Sequence, residues 1–388
     1  MKNGWQTKRL GEVCEIVKGR KPALKATASN GDLPYLVARV MRGSELAEYA
    51  SVKDRNSIVV EETETIIICD GSNSGEVFTG FRGILSSTMG KISKKAEIDD
   101  DYLRAFLAST FEIFNGAKTG AAIPHLDKEA MYQLEFPLPP LPEQQRIVGI
   151  LDEAFTGIAT AKANAEKNLQ NARALFESHL QSIFTQRGKG WVDRKLGDVF
   201  EIGSSKRIME SEWTSAGVPF YGGKEIVKLA KFGSVVSNNY ISAEKYRDYA
   251  SKYDMPRQDD ILITARGTIG VGYIVQEGDK FYYKDGNIIS MRGKTPTNPH
   301  FVLYAFRSNV MTDQFDDLAG TTVRHLPIEK AKELVLRMPE FAAQNSVVKD
   351  IRKIEAETQR LASIYERKLA ALAALKKSLL NEAFTGKL

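Results

Sequence analysis

The chain has 388 residues, of which 54 are basic and 49 acidic, and its formal net charge is only +5. That length predicts roughly two to three globular domains, and no apolar run reaches the ~18 residues of a transmembrane helix. Two cysteines and four histidines exclude a disulfide scaffold and a zinc site of ordinary spacing. Because no apolar leader segment stands at the start and cysteines are few, we expect a cytoplasmic protein. Because the histidines and cysteines are scattered, we expect a protein that holds no metal.

The sequence contains the same plan twice. The segment Trp5-Gln-Thr-Lys-Arg-Leu-Gly-Glu-Val-Cys-Glu-Ile returns 186 residues later as Trp191-Val-Asp-Arg-Lys-Leu-Gly-Asp-Val-Phe-Glu-Ile. Further on, Gly120-Ala-Ala-Ile-Pro-His-Leu matches Gly320-Thr-Thr-Val-Arg-His-Leu at an offset of 200, so the second copy has about 14 extra residues between the two motifs. Either the duplication is an ancient relic, or two similar units bind two similar things; we favour the second.

The first part of each copy is predicted to be a mixed α/β domain. Short isoleucine-rich runs at 65–69 and 261–264 lie between glycine-rich turns, which is typical of buried strands. The pattern also predicts a single helix over 101–115 in the first copy and over 299–313 in the second.

The second part of each copy is predicted to be one long helix. Apolar side chains recur at steps of three and four over 143–186 and again over 343–384, a heptad-like pattern. A stiff proline-rich lead, 136–142, precedes the first helix. Neither apolar seam is stable in water, so we predict that the helices form an intramolecular antiparallel coiled coil, with Leu375 among the seam residues.

Motifs of catalysis are not found. The segment Gly217-Val-Pro-Phe-Tyr-Gly-Gly-Lys-Glu misses the spacing of a phosphate-binding loop by one residue and lacks its Ser or Thr. The acidic run at 99–101 fits a helix N-cap, and the pair at 259–260 fits a turn or strand edge, better than acid–base chemistry. His125 and His325 recur at equivalent positions, where a histidine bonded at the base of a loop and a contact to a ligand are about equally good interpretations.

The order of these features resembles one known family. Each copy begins with Trp-x-x-x-basic-Leu-Gly-acidic-Val-x-Glu-Ile and continues through Gly-x-x-x-x-His-Leu, a proline-containing linker and a glutamine at the helix start to a closing Phe-Thr. Together they look like the specificity (S) subunit of type I restriction–modification enzymes. Leu-Pro-Pro-Leu-Pro-Glu-Gln-Gln-Arg is very similar to a conserved region of that family, whereas the second copy departs there with Met338-Pro-Glu-Phe-Ala-Ala-Gln-Asn.

The resemblance implies a non-catalytic subunit that reads a bipartite DNA target. It implies two target-recognition domains of mixed α/β fold, at 1–142 and 187–339, separated by two conserved helices at 143–186 and 340–388. The partners implied are two modification subunits, which use S-adenosylmethionine, and two ATP-dependent restriction subunits. S-adenosylmethionine, ATP and magnesium would then be cofactors of those partners, and this chain would hold none.

Loops at matching places in the two copies carry side chains suited to DNA. Arginine, lysine, asparagine, serine and threonine read base edges in the major groove or position a protein on phosphates. The candidates in the first copy are Lys18, Arg20, Lys21, Ser72, Asn73, Lys118, Thr119 and His125. The candidates in the second copy are Lys206, Arg207, Lys224, Arg266, Thr268, Thr321, Thr322, Arg324 and His325. We favour Arg266 and Arg324 for base contacts; for every candidate the alternative is a solvated turn.

Two other functions stay open on the sequence. One is a coiled-coil scaffold or interaction protein without a role on DNA, and the other, less favoured, is a nuclease or methyltransferase with a cryptic site. Salt-dependent binding to random duplex DNA separates a DNA-binding subunit from a scaffold. Turnover by the isolated chain would support the enzyme.

Overall fold

The computed structural model describes residues 4–116, 118–119, 125–186, 190–318 and 324–388. The chain divides into two compact units. Unit 1 consists of Met1–Glu166 with Glu366–Leu388, and unit 2 consists of Lys167–Tyr365. Both units are built from short strands and short helices, and the division between them falls within two long helices.

The elements follow the chain in two similar series. The first series is β1 (Gln6–Arg9), α1 (Leu10–Val13), β2 (Cys14–Lys18), β3 (Asp32–Leu36), α2 (Ala38–Met41), β4 (Tyr49–Ser51), β5 (Val59–Val60), β6 (Ile66–Ile68), β7 (Val77–Phe78), β8 (Gly83–Leu85), β9 (Met89–Lys94), α3 (Asp100–Ser109), α4 (Phe111–Gly116), β10 (Lys118–Thr119), β11 (His125–Leu126), α5 (Lys128–Tyr132), β12 (Glu135–Leu138) and the long helix α6 (Leu141–Thr185). The second series is β13 (Val192–Lys195), α7 (Leu196–Val199), β14 (Phe200–Gly203), a 3₁₀ turn (Glu210–Glu212), β15 (Val218–Tyr221), α8 (Gly223–Phe232), β16 (Tyr240–Ile241), α9 (Ala243–Lys252), β17 (Ile261–Thr264), β18 (Gly272–Ile274), β19 (Tyr282–Tyr283), β20 (Ile288–Gly293), α10 (Pro299–Phe306), α11 (Asn309–Leu318), α12 (Ile328–Glu333), β21 (Val335–Met338) and the long helix α13 (Phe341–Thr385).

The duplicated sequence builds two similar sheets in each unit, although the second sheet has four strands in unit 1 (β4-β3-β8-β5) and three in unit 2 (β16-β15-β19). An antiparallel sheet has the strand order β2-β9-β6-β7 in unit 1 and β14-β20-β17-β18 in unit 2. A second sheet contains a parallel pair, β3 with β8 or β15 with β19. In the central strand of unit 2, Ile261 and Ile263 face one apolar core while Leu262 faces another. Both faces are buried, which is why this strand is a continuous apolar run in the sequence.

The longer middle of the second copy forms additional helix. In unit 1 the connection from β3 to β4 holds only α2, which has four residues. In unit 2 the equivalent connection from β15 to β16 holds α8, and the connection that follows β16 holds α9, each of ten residues. The antiparallel sheet is therefore common to both units, and of the added helices α8 packs against the central strand β17 of unit 2.

The single helix predicted over 101–115 and over 299–313 was wrong in both copies. Each region is a pair of helices, α3 with α4 and α10 with α11. Ser109 Oγ and Ser308 Oγ each donate to the carbonyl three residues earlier, at 2.7 and 2.6 Å. A serine side chain that competes for backbone carbonyls in this way favours the end of a helix, and the chain starts a new helix one or two residues later.

Half of each long helix packs in each unit. In unit 1, Phe155 of α6 lies under Lys376 of α13, with 4.9 Å from Nζ to the ring centre, while Arg146 donates to the Leu388 carbonyl at 2.8 Å. As the residue number increases along α6, the residues that it contacts on or just after α13 have decreasing numbers, so the two helices are antiparallel, as predicted. In unit 2, Arg307 contacts Glu177 of α6 and Glu355 of α13, both at 3.1 Å. No helix among the described residues is long and apolar enough to cross a membrane.

Leu375 does not belong to the seam, contrary to the prediction. Its side chain is 47% exposed. Leu380 and Ala383 are buried in the core of unit 1. The residue after Leu375, Lys376, faces α6 instead, and its aliphatic stem covers Phe155. A 3.6-residue turn drifts against a seven-residue pattern, so a leucine one position out of phase points away from the partner helix.

A buried glutamine fastens the start of each long helix. Gln144 Oε1 accepts from the backbone amide of Asp99, the N-cap of α3, at 3.0 Å, and its Nε2 donates to the carbonyl five residues earlier at 2.8 Å. Gln344 repeats both bonds, at 2.9 Å each, with the amide of Asn298, the N-cap of α10. The two glutamines are 1% and 3% exposed. The same latch therefore joins a long helix to the α/β part of either unit.

Candidate nucleic-acid interface

In both units the recurring histidine segment is bound to the end of the central strand, which is β6 in unit 1 and β17 in unit 2. The amide after the histidine donates to a carbonyl at the end of that strand, at 2.8 Å in either unit. This bridge places His125 opposite Asp70 and His325 opposite Arg266. Equivalent backbone positions thus present an acidic side chain, Asp70, in unit 1 and a basic side chain, Arg266, in unit 2.

Asp70 holds two of the predicted DNA contacts of unit 1. Lys18 Nζ and His125 Nδ1 each lie 2.8 Å from a different oxygen of its carboxylate. Burial raises the pKa of Asp70, but the hydrogen bonds from Lys18 and His125 outweigh it and bring that pKa below its usual value. The Asp70 side chain is 15% exposed, against 42% for Lys18 and 51% for His125, so the lysine and the ring face solvent. Sequence reasoning did not include Asp70, although an acid directly after a buried strand was a visible signal.

The loop after this acid is held against α4. Asn115 Nδ2 donates to the Ser72 carbonyl at 2.9 Å, which leaves the Ser72 side chain exposed and Asn73 half-buried. Gly75 has φ +96°, and a Cβ there would lie 2.6 Å from Phe114 Cβ. Only glycine fits both the left-handed backbone and the close approach of the ring. The loop that presents Ser72 and Asn73 is therefore fixed rather than free.

The other candidates of unit 1 lie on two further segments. Arg20 and Lys21 are exposed directly after β2, where a side chain at the preceding glycine would collide with a backbone carbonyl. Lys118 and Thr119 form strand β10, which pairs with β11 so that Thr119 stands opposite His125 in the backbone register. The hairpin of β10 and β11 thus brings the backbone of three sequence candidates to one place.

In unit 2, three of the predicted residues line one cleft. Arg207, Arg266 and His325, together with Lys284 and Asp285, border a cavity of about 550 Å³. Arg207 Nε donates to Asp285 at 2.8 Å. His325 Nδ1 lies 3.1 Å from a backbone carbonyl, so in the neutral ring Nδ1 carries the proton and Nε2 is the acceptor. Arg266 is exposed and makes no ion pair with any described residue, so its guanidinium is available to a ligand.

Arg324 and Lys206 are held differently from Arg266. Arg324 forms an ion pair with Asp316 of α11, and its side chain is 54% exposed. Lys206 Nζ stands 5.7 Å from the ring centre of Tyr253, a cation–π contact on the surface. Arg324 must therefore leave a carboxylate before it can bind a base, whereas Arg266 need not.

The remaining candidates of unit 2 are on its surface or outside the described residues. Lys224 is exposed in the first turn of α8, and Thr268 is exposed in the loop after the central strand. That loop closes at Gly270, which has φ +84° and packs against the ring of Phe315, the counterpart of the glycine–phenylalanine contact in unit 1. Thr321 and Thr322 lie outside the described residues.

The carboxylates weighed for catalysis have structural partners. Asp99 caps α3 by accepting from two backbone amides at 3.0 Å, as the sequence predicts. Asp260 is 4% exposed and accepts from Arg292 Nε at 2.9 Å and from the Arg257 amide at 2.8 Å. Burial raises the pKa of Asp260 to about 6. We assign both acids to holding the fold.

Within the described part of the chain, neither cysteine is suited to nucleophilic catalysis. Burial raises the pKa of Cys14 to about 12 and that of Cys69 to about 11, so both thiols are protonated at neutral pH and are poor nucleophiles. Among the residues that the structure describes, no three histidine, cysteine, aspartate or glutamate side chains are grouped to hold a metal ion. The surface features that recur in both units are loops that carry hydrogen-bond donors.

Sequence comparison finds similar proteins over nearly the whole chain. The family model of the type I restriction modification DNA specificity domain matches twice, at residues 2–170 and 188–366. The chain is 26% identical to the type I restriction enzyme MjaVIII specificity subunit of Methanocaldococcus jannaschii, over 99% of this chain and 93% of that protein. It is 27% identical to the putative type I restriction enzyme specificity subunit S.HindORF215P of Haemophilus influenzae, over 91% of this chain and 88% of that protein.

Solved structures share the fold. A chain from a study of complex assembly and conformational transition of the type I R-M system matches with a TM-score of 0.77 and 19% identity, over 100% of this chain and 99% of that one. The HsdS subunit from Thermoanaerobacter tengcongensis matches with a TM-score of 0.62 and 18% identity, over 100% and 98%. At these identities the likeness establishes the fold, in both of its copies.

Proposed function

The chain belongs to the type I restriction–modification DNA specificity family and is a non-catalytic sequence-specificity subunit; on this premise we propose that each unit reads one half of a bipartite DNA target. The observation that carries this proposal is the bridge at the end of each central strand. One backbone geometry holds Asp70 with Lys18 in unit 1. In unit 2 it holds Arg266, which forms no ion pair within the described ranges of the chain. Equal frames with different donors suit two half-sites of different sequence.

The chemistry of the two reading sites differs. In unit 2, Arg266 can donate two hydrogen bonds to the O6 and N7 atoms of guanine, the base that arginine reads most often. In unit 1, Lys18 and His125 are the exposed partners of Asp70. The Lys18 ammonium keeps further N–H donors for base or phosphate acceptors, whereas His125, whose Nδ1 proton faces the carboxylate, presents Nε2 as an acceptor in the neutral ring. The exposed side chains on the neighbouring loops, which include Arg20 and Lys21, then position the subunit on the sugar–phosphate backbone of the DNA.

The partners of the chain are DNA and other subunits of the type I system. We propose two modification subunits that use S-adenosylmethionine and two ATP-dependent restriction subunits, with ATP, magnesium and S-adenosylmethionine bound by those partners in the cytoplasm. Residues 1–142 and 187–339 would be the target-recognition domains in this assembly. The helices at 143–186 and 340–388 would join them to the other subunits.

The decisive experiment separates base reading from general binding. Arg266→Ala is expected to cost about 1–3 kcal/mol at particular base pairs of one half-site, because a bidentate contact is lost. The matched control is Arg257→Ala, because Arg257 is also exposed but precedes the other end of the same strand, where it pairs with Asp254. Each variant is expressed with its modification subunits, and methylated sites are mapped in the host genome. An unaltered preference in Arg266→Ala would contradict the proposed site.

A domain exchange tests the division of labour. Replacing residues 187–339 by the equivalent segment of a relative is expected to change one half-site and to leave the other unchanged, since the loops of unit 1 are untouched. The exchange of residues 1–142 is the reciprocal control. If either chimera alters both half-sites, the units do not read separately.

A further inference from the structure

Helix α8 of unit 2 has a basic stripe on its outward face. Lys224, Lys228 and Lys231 occupy positions i, i+4 and i+7, which lie on one side of a helix, and all three are exposed. Ile226 and Leu229 on the opposite side are buried in a core that includes residues of the central strand and its neighbours. The packing of α8 therefore places the three lysines in one row on its exposed side, where Lys231 Nζ lies 5.2 Å from the ring centre of Phe232.

The three lysines are not neutralised within the protein. None of them forms an ion pair with a described residue, whereas Lys245 and Lys252 of the neighbouring helix α9 bind Glu212 and Asp248 at 2.5 Å. The acid within α8, Glu225, accepts from the Gly222 amide at 2.9 Å and so caps its own helix. A row of three uncompensated charges is a local concentration that a chain of net charge +5 does not imply.

The stripe begins beside the reading loop of unit 2. A Cβ at Gly223 would lie 3.8 Å from Thr264 Cγ2, so the start of α8 contacts the end of the central strand that leads to Arg266. The first copy has no equivalent: its connection holds the four-residue α2, where Arg39 pairs with Glu45 at 3.0 Å. The stripe is therefore an addition to one unit and is continuous with the candidate interface of that unit.

We propose that the α8 stripe, which we define as Lys224, Lys228 and Lys231, binds the phosphates of duplex DNA that flanks the half-site of unit 2. This inference rests on the function proposed above. At a rise of 1.5 Å per residue, the lysines are spaced by about 6 and 4.5 Å along the helix, and phosphates of one strand advance by ~3.4 Å per nucleotide along the duplex axis. Flexible lysine stems can match these spacings, and a lysine ammonium binds phosphate as a point charge without reading the base. The stripe therefore adds affinity but no sequence preference.

The test is the salt dependence of binding. The full chain, co-purified with its modification subunits, is titrated against target and random duplexes over about 50–300 mM salt. Each phosphate contact contributes about 0.9 to the slope of log affinity against log salt, so replacing the stripe by glutamine should lower the slope by up to ~2.7 on both duplexes. The control removes three lysines that are each ion-paired and do not border the cleft: Lys94, Lys95 and Lys332, partnered by Asp100, Glu15 and Glu329.

The outcomes separate this inference from the proposed function. If the wild-type complex shows no preference for its target, the proposed function fails. If it has that preference but the triple variant keeps the wild-type slope, the stripe does not bind phosphate and the inference fails. A changed base preference in the triple variant also overturns it. Single substitutions at Lys228 and Lys231, each expected to lower the slope by about 0.9, guard against misfolding of the triple variant.

Discussion

Replacing Gln344 by alanine is expected to open the junction between the long helix α13 and the N-cap of α10. Gln344 is 3% exposed and bonds to the Asn298 amide and the Pro339 carbonyl, both at 2.9 Å. Alanine has no side-chain amide, so both hydrogen bonds are lost at once. The carbonyl stays buried without a donor, while the amide at the half-buried Asn298 can recover part of its bonding with water.

The magnitude follows from these two groups. A buried carbonyl left unsatisfied costs about 1–3 kcal/mol, and the exchange of the amide bond for water costs about 0.5–1.5 kcal/mol. We therefore expect the free energy of local opening to fall by about 1.5–4.5 kcal/mol. Since 1.4 kcal/mol is a factor of ten, the amide of Asn298 should exchange at least about 10-fold faster and up to on the order of 1,000-fold faster.

Hydrogen exchange with peptide-level mass spectrometry is the suitable assay, because a chain of two units need not unfold in one step. The duplicated latch supplies the matched control. Gln344→Ala should accelerate exchange at Asn298 and leave Asp99 unchanged, and Gln144→Ala should do the reverse. Gln359→Ala, on the exposed side of α13, should alter neither.

Two results would refute the reasoning. Wild-type exchange at Asn298 in Gln344→Ala would mean that the side chain does not hold the N-cap. Equal acceleration at Asp99 and Asn298 in both variants would mean that each glutamine acts on the whole chain and not on its own latch.

Three further outcomes follow from local geometry. Gly75→Ala should destabilise by about 1–3 kcal/mol more than Gly31→Ala in thermal unfolding, because both have positive φ but only Gly75 faces an aromatic ring at contact distance; equal losses would contradict the steric argument. Cys14 and Cys69, with pKa values of about 12 and 11, should resist iodoacetamide at pH 8 in the native chain and react in denaturant, as mass spectrometry will show. Because the pKa of Asp70 is lower in the folded protein than the unfolded value of about 3.9, the ionised carboxylate stabilises the fold above that value, and this contribution is lost as the pH falls through the folded pKa. The difference in unfolding free energy between wild type and Asp70→Asn should therefore be constant near neutral pH and should shrink below about pH 4. A difference that grows in acid would contradict the lowered pKa.

The sequence by itself determined the features that depend on near neighbours in the chain. Duplicated motifs predicted two equivalent units, and the heptad-like spacing of apolar side chains predicted two long helices that pair with each other; the antiparallel orientation was part of the fold predicted for the whole chain. Asp99 as a helix cap followed from its place before a helix, because a cap bonds only to amides two and three residues ahead. Such patterns are legible because strand and helix periods are local properties.

Helix ends were less legible. The serine bonds that end α3 and α10 depend on which carbonyl the side chain of Ser109 or Ser308 reaches, and the residue type alone does not determine that choice. The exposure of Leu375 depends on a drift of helical phase that accumulates over many turns. In both cases the sequence pattern was right to within a few residues, and packing decided the rest.

Only the tertiary structure decided which candidates meet. Lys18, Asp70 and His125 come from three segments that are 52 and 55 residues apart. They converge because β2 and β6 lie on either side of β9 in one sheet and the histidine segment forms a bridge just after β6. The same topology left Arg266 without an ion-pair partner among the residues that the structure describes and gave Arg324 a partner on α11. Pairing between distant segments is set by sheet order and by the packing of side chains on both faces, and neither leaves a periodic trace in the sequence.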